Sequence, residues 1–194
     1  RKYMNTKDLK EWFRNIKKYK TLIQNYNDTI AYYKDCLNSD EKCIELVKVQ
    51  EERLPVQTSR KYISPQEIEH TLKTVGIKRA KEEIRKYTDK RNSIYRKMYL
   101  MDKAFEYLEE INKEASFIIE CSLVNRMSWK EIDLNFNMKF RNEKTIGENR
   151  MRHLLGEGLI DMIEYIDSIP ANKINYSHIF KKEILSICIT YDNK

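Results

Sequence analysis

Apolar residues recur at alternating three- and four-residue spacing along the first forty positions: Leu9, Trp12, Ile16, Tyr19, Ile23, Tyr26, Ile30, Tyr33 and Leu37. This spacing predicts a helix with one packed seam, aliphatic at the a positions of a heptad and aromatic at d. Thr6 is a candidate cap for its start. Bulky Trp and Tyr at d suit packing inside a hairpin or bundle better than a symmetric two-stranded zipper. A turn is expected at Leu37-Asn38-Ser39-Asp40. Ser39 or Asp40 then caps a second helix whose stripe is Cys43 or Ile44, Val47, Gln50 or Glu51, and Leu54. Pro55 ends it, because proline has no amide hydrogen and clashes with the preceding turn. The two helices form an antiparallel hairpin.

Residues 55–63 read as a linker. Ser64, Pro65 and Glu67 form a capping-box start for the next helix, and Gly76 is a candidate interruption of it. From Ile77 the heptad resumes through Ala80, Ile84, Tyr87, Arg91, Ile94, Met98, Met101, Phe105 and Leu108. A helix of about thirty residues follows from that repeat, with Arg91 breaking its apolar seam. Residues 111–125 continue as helix, with Ala115, Ile118, Ile119 and Leu123 as candidates for burial. After Pro170 a last amphipathic helix carries Ile179, Phe180, Ile184, Leu185 and Ile187.

The expected fold is therefore all-α: an N-terminal helical hairpin (1–55), a linker and long connecting helix (56–110), a helix-turn-helix domain (111–169) and a C-terminal helix (170–194). Composition agrees. Only 4 Gly and 3 Pro interrupt 194 residues of which 35% are charged, which favours long helices over a many-turned β fold. A formal charge of +7 suits a polyanionic partner. Cys36, Cys43, Cys121 and Cys188 form no CxxC pair, and His70, His153 and His178 are isolated, so no metal site is expected and the cysteines read as reduced core residues of a cytoplasmic protein. No apolar run reaches a membrane span and no signal peptide is visible. The chain opens on Arg1, so native residues are expected ahead of it. No Gly-rich phosphate loop, HExxH or nucleophile elbow occurs, so neither catalysis nor a cofactor is expected.

The informative stretch is 115–166. A helix ends near Asn125, and Ser128 caps a short helix carrying Trp129, Ile132 and Phe136, with Glu131 completing a second capping box. After a basic connector from Asn137 to Lys144, Thr145 caps a further helix bearing Ile146, Arg150, Met151, Arg152, Leu154 and Leu155. Helix, turn, short helix, turn, longer helix is the plan of a helix-turn-helix. Its third element lays an exposed N-terminal face in the major groove of double-stranded DNA. Lys139, Arg141, Lys144, Arg150 and Arg152 supply cations for phosphates and base edges there. Residues 156–169 hold Glu157, Asp161, Glu164 and Asp167 with no Lys or Arg, so charge is segregated, basic before and acidic after. A second basic stretch lies between Arg60 and Lys97, where several cations are placed to flank a duplex backbone.

Met127-Ser128-Trp129-Lys130-Glu131-Ile132, followed by Thr145-Ile146 and a leucine-containing helix, resembles region four of bacterial sigma factors. More specifically it is similar to the phage late-gene transcriptional activators of the RinA and ArpU type, over about 40 residues. The resemblance implies a regulator of phage or prophage origin, working with RNA polymerase. It also implies that Thr145, Glu148, Asn149, Arg150 and Arg152 face DNA, and Lys130 is a further candidate DNA contact. The chain departs from that pattern in three places. Asp133 stands where a small residue is usual, the connector exceeds a standard turn, and Gly147 falls within the presumed recognition helix, where glycine costs about 1 kcal/mol. The alternative is a helical assembly or adaptor protein, or a small-terminase-like packaging subunit that oligomerises with itself.

Overall fold

The computed structural model describes residues 4–51, 64–140 and 146–170. All of its regular elements are helical: α1 (Thr6–Arg14), α2 (Ile16–Leu37), α3 (Asp40–Glu51), α4 (Pro65–Ile111), α5 (Lys113–Ile119), a π-helical turn (Glu120–Val124), α6 (Trp129–Phe140) and α7 (Gly147–Ser168). The expected all-α class is what the chain adopts. Among the described residues no helix is long and apolar enough to cross a membrane. The linker at 55–63 and the amphipathic segment after Pro170 lie outside the described residues.

Asn5, one position before Thr6, opens α1, its side-chain oxygen accepting from the Asp8 amide at 2.8 Å. Asn15 then separates α1 from α2 without breaking the hydrogen-bond ladder. Its amide donates to the Glu11 carbonyl at 3.1 Å, and its own carbonyl receives the Tyr19 amide at 3.0 Å. The predicted seam survives this joint, with Leu9, Tyr19 and Ile30 buried; Phe13, beside Trp12, is buried as well. Ser39 caps α3, accepting from Lys42 at 3.4 Å. The capping box ahead of α4 is complete: Glu67 accepts from the Ser64 amide at 2.9 Å while Ser64 Oγ accepts from the Glu67 amide at 3.2 Å.

The chain divides into two compact units. One gathers the described residues of Arg1–Lys20 and Ile94–Lys194; the other is Thr21–Ser93. Helix α1, with Leu9 and Phe13 buried, belongs to the same unit as α5–α7.

In the Thr21–Ser93 unit, Tyr26 and Tyr33 of α2 meet Tyr87 of α4 at centroid distances of 5.7 and 6.4 Å. The d-position aromatics thus pack within the chain. Arg91, the polar break in the seam, donates to Asn27 Oδ1 at 2.9 Å. A one-residue slip would separate these groups, so the pair favours a single register. Cys36 and Cys43 are free, buried thiols on either side of the α2–α3 turn, and Cys43 Sγ donates to the Cys36 carbonyl at 3.0 Å. Gly76 does not interrupt α4, which runs through it. A Cβ at 76 would lie 2.0 Å from the Cys43 carbonyl oxygen and 2.6 Å from its carbon, so glycine is what lets the backbones of α3 and α4 approach.

In the other unit, Leu9, Met98, Met101, Leu108, Ile118, Ile119, Leu159 and Met162 make the core. Phe13 packs against Phe105 at 6.3 Å, and Tyr107 stacks on Tyr165 at 4.4 Å. Helix α7 lies along α5 and also contacts α1, which in turn touches the π turn.

Gly76→Ala should cost about 1–3 kcal/mol, the range for forcing a methyl into a filled interior. Urea unfolding followed by circular dichroism measures it, and a midpoint equal to wild type would show that the helices have room to part.

Candidate nucleic-acid interface

The candidate segment is built on α5, whose start is capped by Asn112, the side chain accepting from the Ala115 amide at 3.0 Å. Its last turns widen. The Asn125 amide bonds the Glu120 carbonyl at 3.0 Å, five residues back, and the Met127 amide bonds Cys121 at 2.9 Å. The extra residue per turn rotates the chain so that Cys121, Leu123 and Val124 are all buried. Burial and the Glu120 charge push the Cys121 thiol up to about 11, which keeps it protonated and unreactive. The chain then reverses through Arg126 in the left-handed region (φ 55°). The Arg126 guanidinium donates to the Arg14 carbonyl at 2.8 Å, tying the turn to α1.

Ser128 caps α6 as the spacing predicts. Glu131 accepts from the Ser128 amide and from its hydroxyl, both at 2.8 Å. These bonds, the backbone one first, hold the Glu131 carboxyl below its ordinary value. Ile132 and Phe136 are fully buried. The helix is longer than expected and runs to Phe140, so residues 137–140 belong to α6 and not to a connector. The reason is aromatic packing: Phe140 lies 4.6 Å from Phe136 and 5.7 Å from Phe117 of α5. Asp133, standing where a small residue is usual, is half-buried and accepts from Asn137 at 3.4 Å.

Helix α7 opens at Gly147. Gly147 is not a helix-interior glycine: its φ of +66° places it in the left-handed region at the helix start, where glycine is the favoured residue. The penalty assigned to it therefore does not apply. Thr145, the expected cap, lies outside the described residues with Arg141 and Lys144. The cap position is Ile146, whose side chain makes no capping bond. One side of α7 is buried through Met151, Leu154, Leu155, Leu159, Met162 and Ile166. Gly158 permits that seating, since a Cβ there would sit 2.9 Å from Ala115 Cβ and 3.1 Å from Ile119 Cδ1.

Of the expected contact residues, Lys130, Lys139, Glu148, Asn149, Arg150 and Arg152 are all exposed. Arg152 is the most constrained. Its Nε donates to Glu148 at 2.8 Å, and its guanidinium lies 4.8 Å from the Trp129 ring centroid, one residue from Lys130. Arg150 stands 4.0 Å from Glu157, which His153 also approaches at 3.0 Å. Lys139 is not brought to the arginines. It sits 4.5 Å over the Phe117 ring on the α5 side. Charge on α7 itself is not cationic, because Arg150 and Arg152 share the helix with Glu148, Glu157, Asp161, Glu164 and Asp167.

Three features had no signature in the sequence: the Arg126–Arg14 tie, the Trp129–Arg152 stack and the packing of α1 on α7. All join residues far apart in the chain. Comparison with protein-family models, curated proteins and solved structures finds no match to this chain.

The depressed Glu131 carboxyl makes the α6 cap acid-sensitive. A lowered carboxyl contributes stability above its ordinary pKa of about 4.3, and that contribution disappears as pH falls through the lower folded value. Glu131→Gln should therefore flatten the loss of thermal stability on acidification below about pH 4. Melts of the two proteins across that range check it; parallel curves would show the bond to be inconsequential.

Proposed function

We propose that this chain is a sequence-specific regulator of transcription that binds double-stranded DNA by laying the opening turns of α7 in the major groove. The observation that carries this is the outward presentation of Asn149 and Arg150 on a helix whose opposite side is locked into the core against α5 and α1. Asn pairs with adenine edges and Arg with guanine edges, and both need a rigid helix face at the groove floor. Arg152, on the same helix, is held on Trp129, and Lys130 follows Trp129 as an exposed cation. The likeness of Met127–Ile132 and Thr145-Ile146 to sigma region four and to RinA- and ArpU-type activators supports the same assignment. It makes RNA polymerase the protein partner to test first, and a phage or prophage the expected origin.

Selection of bound sequences from random duplexes at near-physiological salt tests this directly. A defined motif is expected. Asn149→Ala and Arg150→Ala should each relax one base position by about 1–3 kcal/mol. Binding that ignores sequence, unchanged by either substitution, would sink the assignment.

One observation favours a second reading, an assembly or adaptor protein of the small-terminase kind. Leu134 and Met138 sit one turn apart on α6, 58% and 80% exposed, where a groove-reading domain needs polar residues. Solution mass separates the two. A monomer or dimer is expected for a regulator, and a large ring for a packaging subunit.

A further inference from the structure

Helix α7 carries more acids than bases, yet affinity for DNA comes largely from cations set against phosphates. A regulator built on this helix therefore needs a backbone contact elsewhere. We propose that the strip Lys7, Lys10, Arg14, Lys17 and Lys18, on α1 and the start of α2, is that contact: a binding surface for the sugar-phosphate backbone of a duplex whose groove α7 enters. This rests on the duplex-binding assignment above and extends it to residues outside the helix-turn-helix.

The spacing of three, four, three and one residues gathers these cations on one side of the helix, flanking the side that buries Leu9 and Phe13. Lys7, Arg14, Lys17 and Lys18 are exposed and Lys10 is half-exposed. Among the described residues none of the five is held by a carboxylate. Asp8 and Glu11 share the segment and leave it clearly positive. From Lys7 to Lys18 the helix rises about 16 Å, the rise of four or five nucleotides of one strand.

The position of the strip links it to α7. Helix α1 packs on α7 and on the π turn. Arg14 receives the Arg126 guanidinium on its carbonyl, and three residues beyond Arg126 the Trp129 ring carries Arg152. Arg126, tied to α1, and Arg152, held on the first residue of α6, thus belong to the same compact unit as the strip. An anionic membrane is the poorer occupant. A helix lying on a bilayer inserts its apolar side, and here that side, at 0% exposure for Leu9 and 3% for Phe13, is spent on the protein core.

The test is the full chain with K7Q, K10Q, R14Q, K17Q and K18Q combined, compared with wild type and with a version in which the four lysines become arginine. Circular dichroism and melting establish that each folds. Binding to the selected duplex and to a scrambled one is measured across a salt series. The glutamine protein should lose affinity about equally for both duplexes. Its dependence of log K on log salt should become shallower by about 0.9 for each phosphate that is no longer neutralised. The arginine version should keep the wild-type slope. An unchanged slope in the glutamine protein overturns the strip while leaving the α7 assignment standing. Failure of wild type to bind any duplex removes both. Loss of binding to phosphatidylserine vesicles with duplex binding intact would assign the strip to a membrane surface instead, and overturn the proposal.

Discussion

The feature on which the rest depends is the close seating of α7 on α5. Gly158 comes within contact of Ala115 and Ile119, and around that approach Leu108, Ile118, Leu159 and Met162 are removed from water. Small residues at the crossing set the distance between helices, and the apolar residues around it supply the free energy, at roughly 25 cal/mol per Å² of buried apolar surface. Because the apolar side of α7 is committed in this way, Asn149 and Arg150 have nowhere to go but outward. The orientation of the candidate reading face is thus a by-product of core packing, set by residues that touch no ligand.

Local hydrogen bonding then trims the elements to length. Asn5, Ser39, Ser64, Asn112 and Ser128 each satisfy an amide that the helix they start cannot satisfy for itself. These caps mark where helices begin, but packing decides where they end. Phe140 carries α6 beyond its expected limit because two aromatic partners wait for it. Surface ion pairs such as Lys103–Glu106 or Lys86–Glu83 add little by comparison, since exposed pairs are worth only about 0–1 kcal/mol each.

What was legible in the sequence follows from this split. Periodic seams and capping boxes are local, so the helical class, the α2–α3 turn and the starts of α4 and α6 could be read from spacing alone. Glycines could not, because their meaning depends on surroundings. Gly76 looked like a break and is a point of backbone contact; Gly147 looked like a cost and sits at a positive φ where it is favoured. The basic cluster was legible as composition, but only coordinates separate Lys139, lying on Phe117, from Arg152, lying on Trp129. The partnership of α1 with α7 was hidden because it links opposite ends of the chain, and the heptad that names Leu9 is silent about which helix covers it.

The buried thiols have a practical consequence. Cys36 and Cys43 belong to one compact unit and Cys121 to the other, and all three are covered. Burial also raises the pKa of Cys43 and Cys121, so a labelling reagent meets almost no thiolate while the fold is closed. Each sulfur is therefore a silent clock for its own unit. Which one is modified first under gentle heating would reveal whether the two halves open together or in turn.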